Sequence, residues 1–278
     1  MTPKREIPIN TKLNCIFGGS LNTFGWSWLF ASLAFTSFFV WDVDFKNLNA
    51  FDGPLDQEQA VITLREATNA TINHERVMRN DYEFYFNGEK IQGTSYATGW
   101  SHPEGKQVRV EFPINKPEVS RIKGMRRNTF GVFIWLFLLF PFVGVLTILF
   151  GLKSGLKNLK LLNIGQIGLA KIKNLERTNT SINDKRVMLV TMNLRTMEGP
   201  EHEIQIKTHR VEKLDDDYEE KVLYDPMNPQ NAVAVDLIAG KIKFNELGQI
   251  QDSGNFPANI VTAGFCIAGI MGFIFYKL

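Results

Sequence analysis

Charged residues are missing from three stretches of this chain, Leu13 to Trp41, Asn128 to Leu152 and Ser253 to Tyr276, and crowd the intervals between them. About 20 helical residues cross a hydrocarbon core of about 30 Å, so each stretch is long enough for a membrane helix. The pattern predicts transmembrane helices over residues 18–41, 130–152 and 258–276. In the first, Trp26, Trp28 and Trp41 stand near the two ends, where an interfacial belt places them. The second is the most apolar and carries Pro141, which predicts a kink rather than a break, because neighbouring groups in a membrane re-satisfy the freed carbonyl. No small-x-small cleavage site closes the first helix, and Cys15 precedes the apolar run where a lipoprotein cysteine would follow it. The helix is therefore expected to be retained, with residues 1–17 as a cytoplasmic tail.

The polar intervals are related to each other. The segment from Glu66 to Met78 returns from Glu176 to Met188 with eight of thirteen positions identical, at an offset of 110 residues. A match at one fixed offset marks a duplicated module. In the first copy Tyr82-Glu-Phe-Tyr-Phe86 alternates and runs into Asn87-Gly88, a strong hairpin signal, with a new strand near Ile91. In the second, Met188 to Leu194 turns at Glu198-Gly-Pro200 and returns as His202 to Ile206. Gly165 to Ile172 reads as the opening strand there, with Val61 to Leu64 its counterpart. Both copies end in proline-rich turns, Val108 to Pro117 and Val222 to Pro229, which are expected to stop the ladder. The expected fold is a membrane α + β protein: three transmembrane helices with two homologous small all-β lobes, barrel- or sandwich-like, inserted between them over 56–125 and 162–245. Each lobe should hold five or six short strands.

The shared Thr-Asn-x-x-Ile-Asn segment has two readings. Asn69, Asn73, Asn179 and Asn183 can present amides to a ligand, or Thr and Asn side chains can bond their own backbone and shape a turn. The flanking strand patterns favour the turn. Asn69-Ala-Thr71 and Asn179-Thr-Ser181 also fit the glycosylation acceptor pattern, a very common one.

With Tyr224-Asp-Pro-Met-Asn-Pro229 closing one lobe and Glu111-Phe-Pro-Ile-Asn-Lys-Pro117 the other, the two helix–lobe–helix units resemble the bacterial membrane family catalogued as domain of unknown function 3592. The resemblance covers roughly 60–125 and 162–240 and is best from Gly165 to Val235. The first lobe departs from it, having Glu111-Phe112 where Tyr-Asp would stand. That family carries no established activity, so the resemblance implies architecture and bacterial membrane placement and supplies no site.

Charge adds orientation. Lys4, Arg5 and Lys12 precede the first helix while Asp42 and Asp44 follow it, which puts the N-terminus in the cytoplasm; the resemblance implies that the membrane is the bacterial inner membrane. Three spans then place 42–127 outside and 153–252 inside. Lys153, Lys157 and Lys160 agree with this, whereas Arg121, Lys123, Arg126 and Arg127 vote against it. These juxtamembrane basic residues are candidates for contact with anionic headgroups. A net charge of +2 says nothing about nucleic acid, but neither lobe carries a basic stripe interleaved with aromatics, so no nucleic-acid partner is expected.

Catalytic and metal chemistry is not evident. His74, His102, His202 and His209 are scattered, two cysteines make no disulfide framework, and Asp215 to Glu220 lacks the spacing of a calcium loop. Gly18-Gly19 is a lone pair and no phosphate cradle. No ionisable residue lies within a span, which speaks against an ion pathway. No cofactor and no metal are expected. Gly264, Ala268 and Gly272 lie four apart, a small-xxx-small face for close helix packing against the other helices or a partner. The expected function is a non-enzymatic membrane interaction protein, an accessory subunit or scaffold whose partners are lipids and other membrane subunits or further copies of itself. The alternative is a small-ligand or lipid-binding sensor.

Overall fold

Both polar intervals fold as single five-stranded antiparallel sheets, and their registers coincide almost residue for residue. The computed structural model describes residues 4–182, 184–196, 199, 201–214, 219–246, 248–252, 254 and 256–277. Two helices open the chain, α1 (Ile9–Phe17) and α2 (Ser20–Val40). Lobe 1 follows as β1 (Leu55–Ile72), β2 (Glu75–Phe86), β3 (Glu89–Thr98), β4 (Gln107–Pro113) and β5 (Arg121–Ile122). The helix α3 (Ile134–Ile164) leads to lobe 2: β6 (Gln166–Ile182), β7 (Lys185–Arg195), β8 (Glu201–Thr208), β9 (Glu220–Asp225) and β10 (Asn228–Ala234). A last helix, α4 (Asn259–Lys277), ends the described chain.

The strand orders are β3-β2-β1-β4-β5 and, read from its other edge, β8-β7-β6-β9-β10. The sheets therefore share one topology. Ala60 pairs with Phe84 and Ala170 with Leu194; Ile62 pairs with Tyr82 and Ile172 with Met192. Even the irregularities recur, between Ile62 and Leu64 and between Ile172 and Asn174. The fourth strands also correspond: Glu58 faces Val110, and Gly168 faces Val222. This register corrects two sequence alignments. The counterpart of Gly165 to Ile172 is the start of β1, from Leu55, rather than Val61 to Leu64. Phe112 stands where Tyr224 stands and Pro113 where Asp225 stands, so Glu111 matches Leu223.

Each lobe is one curled sheet rather than a two-sheet sandwich. In lobe 1 the far edge is bridged by paired backbone bonds, Tyr96 N–H to Arg126 O at 2.7 Å and Arg126 N–H to Tyr96 O at 2.9 Å. The expected hairpin turn is present, with Asn87 and Gly88 both in the left-handed region that such turns need. The Glu198 and Pro200 positions of the matching turn lie outside the described residues. The closing prolines do not stop the ladder in lobe 2. The chain turns at Pro226 and Met227 and returns as β10, with Pro229 inside the register shift between Asn228 and Ala232. A proline is tolerated in a bulged edge strand because no ladder N–H is lost there.

Register lines up the cores. Ala60, Ile62 and Val110 recur as Ala170, Ile172 and Val222, but Asn80, Tyr82, Gly93 and Ser95 face the interior where lobe 2 has Val190, Met192, Ile204 and Ile206. Lobe 1 thus carries a polar interior. The Tyr82 hydroxyl donates to Ser120 at 2.9 Å, and Ser95 Oγ accepts the Ile122 N–H at 2.9 Å. Such a group is tolerated inside only when bonded, and these are.

The residues fall into two compact units. The first, Met1–Phe30 with Val143–Phe265, holds α1, the start of α2, most of α3, lobe 2 and the start of α4. Here α2 and α1 pack on α3 through glycines: a Cβ at Gly144 would stand 3.1 Å from Leu29 of α2, and one at Gly155 2.3 Å from the Cys15 carbonyl of α1. The segment expected to be a tail is α1, which buries Cys15 against Leu161, Leu162 and Ile238. Arg5 donates to the carbonyls of Leu162 and Gly165, satisfying the orphan acceptors that end α3.

The second unit, Ala31–Phe142 with Cys266–Leu278, holds the rest of the long helices and lobe 1. The Phe39 and Phe137 rings stack at 3.8 Å between centroids. Pro141 lies inside α3, and the helix does not break. The carbonyl freed by the proline is that of Phe137, four residues earlier, and it accepts the Thr36 hydroxyl at 3.1 Å. Among the described residues, α2, α3 and α4 are three helices long and apolar enough to cross a membrane.

Candidate functional site

The duplicated segment forms an exposed hairpin arm at the end of each lobe. In the first arm, Thr68 Oγ1 donates to Val77 O at 2.8 Å across the register shift between Ala67 and Thr71, and accepts from Ala70 N. Thr178 repeats this with Val187 O at 2.7 Å and with Thr180 N. The arm then turns through Asn73 and His74, both left-handed; Asp184 is left-handed in the second copy, and Asn183 lies outside the described residues. The turn-shaping reading of the motif is the one the geometry displays. It accounts for Thr68 and Asn73, while Val77 and Val187 are kept because they are buried. It does not account for Glu66, Asn69 and Arg76, whose counterparts Glu176, Asn179 and Arg186 are identical although all six side chains are exposed.

The basic residues ahead of α3 converge in part. Arg121, Arg126 and Arg127 line a cavity of about 370 Å³, together with Asp42 and Asp44. Lys123 is exposed and does not line it. Two of the three guanidiniums are matched by carboxylates: Arg121 with Glu111 at 2.7 Å and Arg127 with Asp44 at 3.1 Å. Arg121 also lies over the Phe51 ring, 4.1 Å from its centroid. Burial alone would raise the Asp44 pKa, but hydrogen bonding to Asn47 and the Arg127 charge together hold it below the usual carboxylate value. Asp42 accepts both the backbone N–H and the hydroxyl of Thr129, at 2.7 and 2.6 Å.

Arg126 is different. Its Nη2 donates to the Thr98 hydroxyl at 3.0 Å and to the Thr129 carbonyl at 3.1 Å, both uncharged. Its Nε is buried with no hydrogen-bond partner among the described residues. Burial pulls its pKa down. Gly131, left-handed at φ 58°, clears the space: a Cβ there would stand 2.6 Å from Arg126 Cδ. Gly131 and Phe133, in the short turn that leads into α3, and Trp135, in its first turn, line the same cavity.

In the other unit, Arg210 lines a smaller cavity of about 120 Å³ with Ser154 and Asn158. That space suits a few waters. Lys153, Lys157 and Lys160 lie exposed on the part of α3 that runs past Leu152. Gly264, Ala268 and Gly272 are exposed as well, and nothing lies within 4 Å of a Cβ built at either glycine. The buried positions of α4 are Ala263 and Cys266. The small-residue contact is made instead by Gly144, Gly151 and Gly155 of α3, whose spacing of seven and four was an equally readable signal. The intrachain half of the packing expectation is thus corrected. Among the described residues no cluster of His, Cys, Asp and Glu could hold a metal ion. Asp215 to Tyr218 lie outside them.

Three helices long and apolar enough to cross a membrane and two five-stranded β lobes of identical topology define the class of molecule. No protein-family model, curated protein or solved structure matches the chain.

Proposed function

We propose that the chain is a non-enzymatic integral membrane interaction protein, an accessory subunit or scaffold of a larger complex, presenting its duplicated lobes at the membrane surface. One observation carries this reading: the exposed arms have kept Glu66, Asn69 and Arg76 identical, while Asn80, Tyr82, Gly93 and Ser95 of one interior have diverged from their counterparts in the other. Duplicated modules ordinarily do the reverse, since packing constrains cores and leaves surfaces free. Glu66, Asn69 and Arg76, with Glu176, Asn179 and Arg186, are exposed, identical between the arms and unexplained by the hairpin itself. Recognition of a partner is what maintains such residues. The uncovered Gly264, Ala268 and Gly272 face supports the reading by offering a second helix a close approach. The bacterial inner membrane, with the N-terminus cytoplasmic, follows from the basic flank and from the resemblance to domain of unknown function 3592.

The test is purification in gentle detergent from the native host, parent beside Arg76→Ala and Arg186→Ala. The parent is expected to retain a stoichiometric protein partner, and at least one variant to lose about tenfold of it at unchanged thermal stability. Removing a hydrogen-bonded charge at an interface costs enough for that. A parent that purifies alone, or with only a lipid or metabolite, overturns the assignment and turns it to the sensor alternative.

A further inference from the structure

We infer that the cavity around Arg126 seats the phosphate of a membrane phospholipid headgroup. Three guanidiniums line it, and carboxylates match only two of them. Arg126 touches a hydroxyl and a carbonyl, and its Nε is buried without a partner among the described residues. A half-buried cation whose contacts are all neutral is stabilised by an anion from outside. Neither carboxylate of the cavity supplies that anion: Asp42 is engaged by Thr129, and Asp44 by Asn47 and Arg127.

The surroundings select the kind of anion. The cavity reaches Trp135 in the first turn of α3, and the N-terminal end of a 31-residue helix favours negative charge. Phe133 and Trp135 line it too, and both are about half exposed or more, at 48% and 63%. A free inorganic anion gains nothing from such rings, whereas a lipid brings glycerol and acyl carbons to the same place. A space of about 370 Å³ is also of ligand-site size, larger than a phosphate alone needs. The assignment rests on the reading that α2 and α3 cross a membrane, and is independent of what the arms bind.

Two measurements test it. First, the parent protein is purified in a phospholipid-free detergent and examined by native mass spectrometry with added phosphatidylglycerol. One tightly retained lipid per chain is expected, and the absence of any stoichiometric adduct overturns the proposal. Second, thermal unfolding is followed against soluble dihexanoyl-phosphatidylglycerol. A saturable upward shift is expected, with the apparent affinity weakened about tenfold or more in Arg126→Gln, as loss of a charge-assisted bond implies. Lys123→Gln, outside the cavity, should match the parent. An equal response to inorganic phosphate, or equal weakening in Lys123→Gln, overturns the lipid site. Resistance of the protein to alkaline extraction from membranes checks the spans separately, so the two failures are told apart.

Discussion

At the scale of single residues, the two lobes are a natural experiment in packing. Tyr82 faces Gly93 in one, and Met192 faces Ile204 in the other. The exchange trades a large ring over no side chain for two medium ones, conserving volume, which is the kind of change cores accept. Gly93 has no slack: a Cβ there would stand 2.4 Å from the Tyr82 ring. Gly93→Ala is therefore expected to destabilise by about 1–3 kcal/mol through overpacking. In a Tyr82→Met background the same substitution should cost less than half as much, read by thermal unfolding of the full chain in detergent; equal costs would mean that the ring is not what excludes a side chain. None of this was legible in the sequence. The identities at Ala60, Ile62 and Val110 are too few to align the cores by eye, and the offset shifts at the hairpin between the second and third strands of each lobe, which is longer in lobe 2. The hairpin arm was legible because its residues act locally, Thr68 by bonding Val77 and Asn73 by adopting the left-handed conformation of the turn.

At the scale of elements, α3 shows how much a neighbour matters. Pro141 removes an N–H, and Thr36 of α2 supplies a replacement donor to Phe137 O. Thr36→Val keeps the shape and leaves that carbonyl without its donor, so it should cost about 1 kcal/mol, the usual size of a hydrogen bond between membrane helices. Pro141→Ala returns a backbone N–H to the same carbonyl. Thr36→Val should then cost markedly less in the Pro141→Ala background, and a double-mutant cycle of unfolding temperatures or free energies measures the coupling. A purely additive cycle would contradict the assignment. The tolerance of α3 for proline could be read from the sequence, but the donor could not, because nothing in a one-dimensional pattern pairs position 36 with position 137. The stripe on α4, expected to pack on the other helices or on a partner, is not covered within the described chain for a related reason. Small spacing says that a close approach is allowed, and the approach itself is made at Gly144, Gly151 and Gly155.

At the scale of the whole molecule, one long apolar helix separates the lobes along the chain, so the reading of three spans puts them in different compartments. Ser95 and Thr208 are buried in their lobes and cannot report this; Glu89 and Thr180 are exposed. In intact cells, Glu89→Cys is expected to react with an impermeant maleimide and Thr180→Cys only after lysis. Burial pushes the Cys15 thiol up to about 12, so it stays protonated and slow at neutral pH. Equal labelling of both sites would show that α3 does not cross. The cavity was half legible at this scale. Arg121, Arg126 and Arg127 stood out as a flank, but their roles separate only once Glu111 and Asp44 are seen to take two of them and leave the third. The Thr36–Phe137 bond, finally, bears on biosynthesis. The donor is translated 101 residues before the acceptor, so α2 is complete when the proline-bearing helix leaves the ribosome. The weakest peptide group of α3 can be matched on arrival, and, on the reading of three spans, a circularly permuted gene that made α3 first would expose it to lipid until α2 followed.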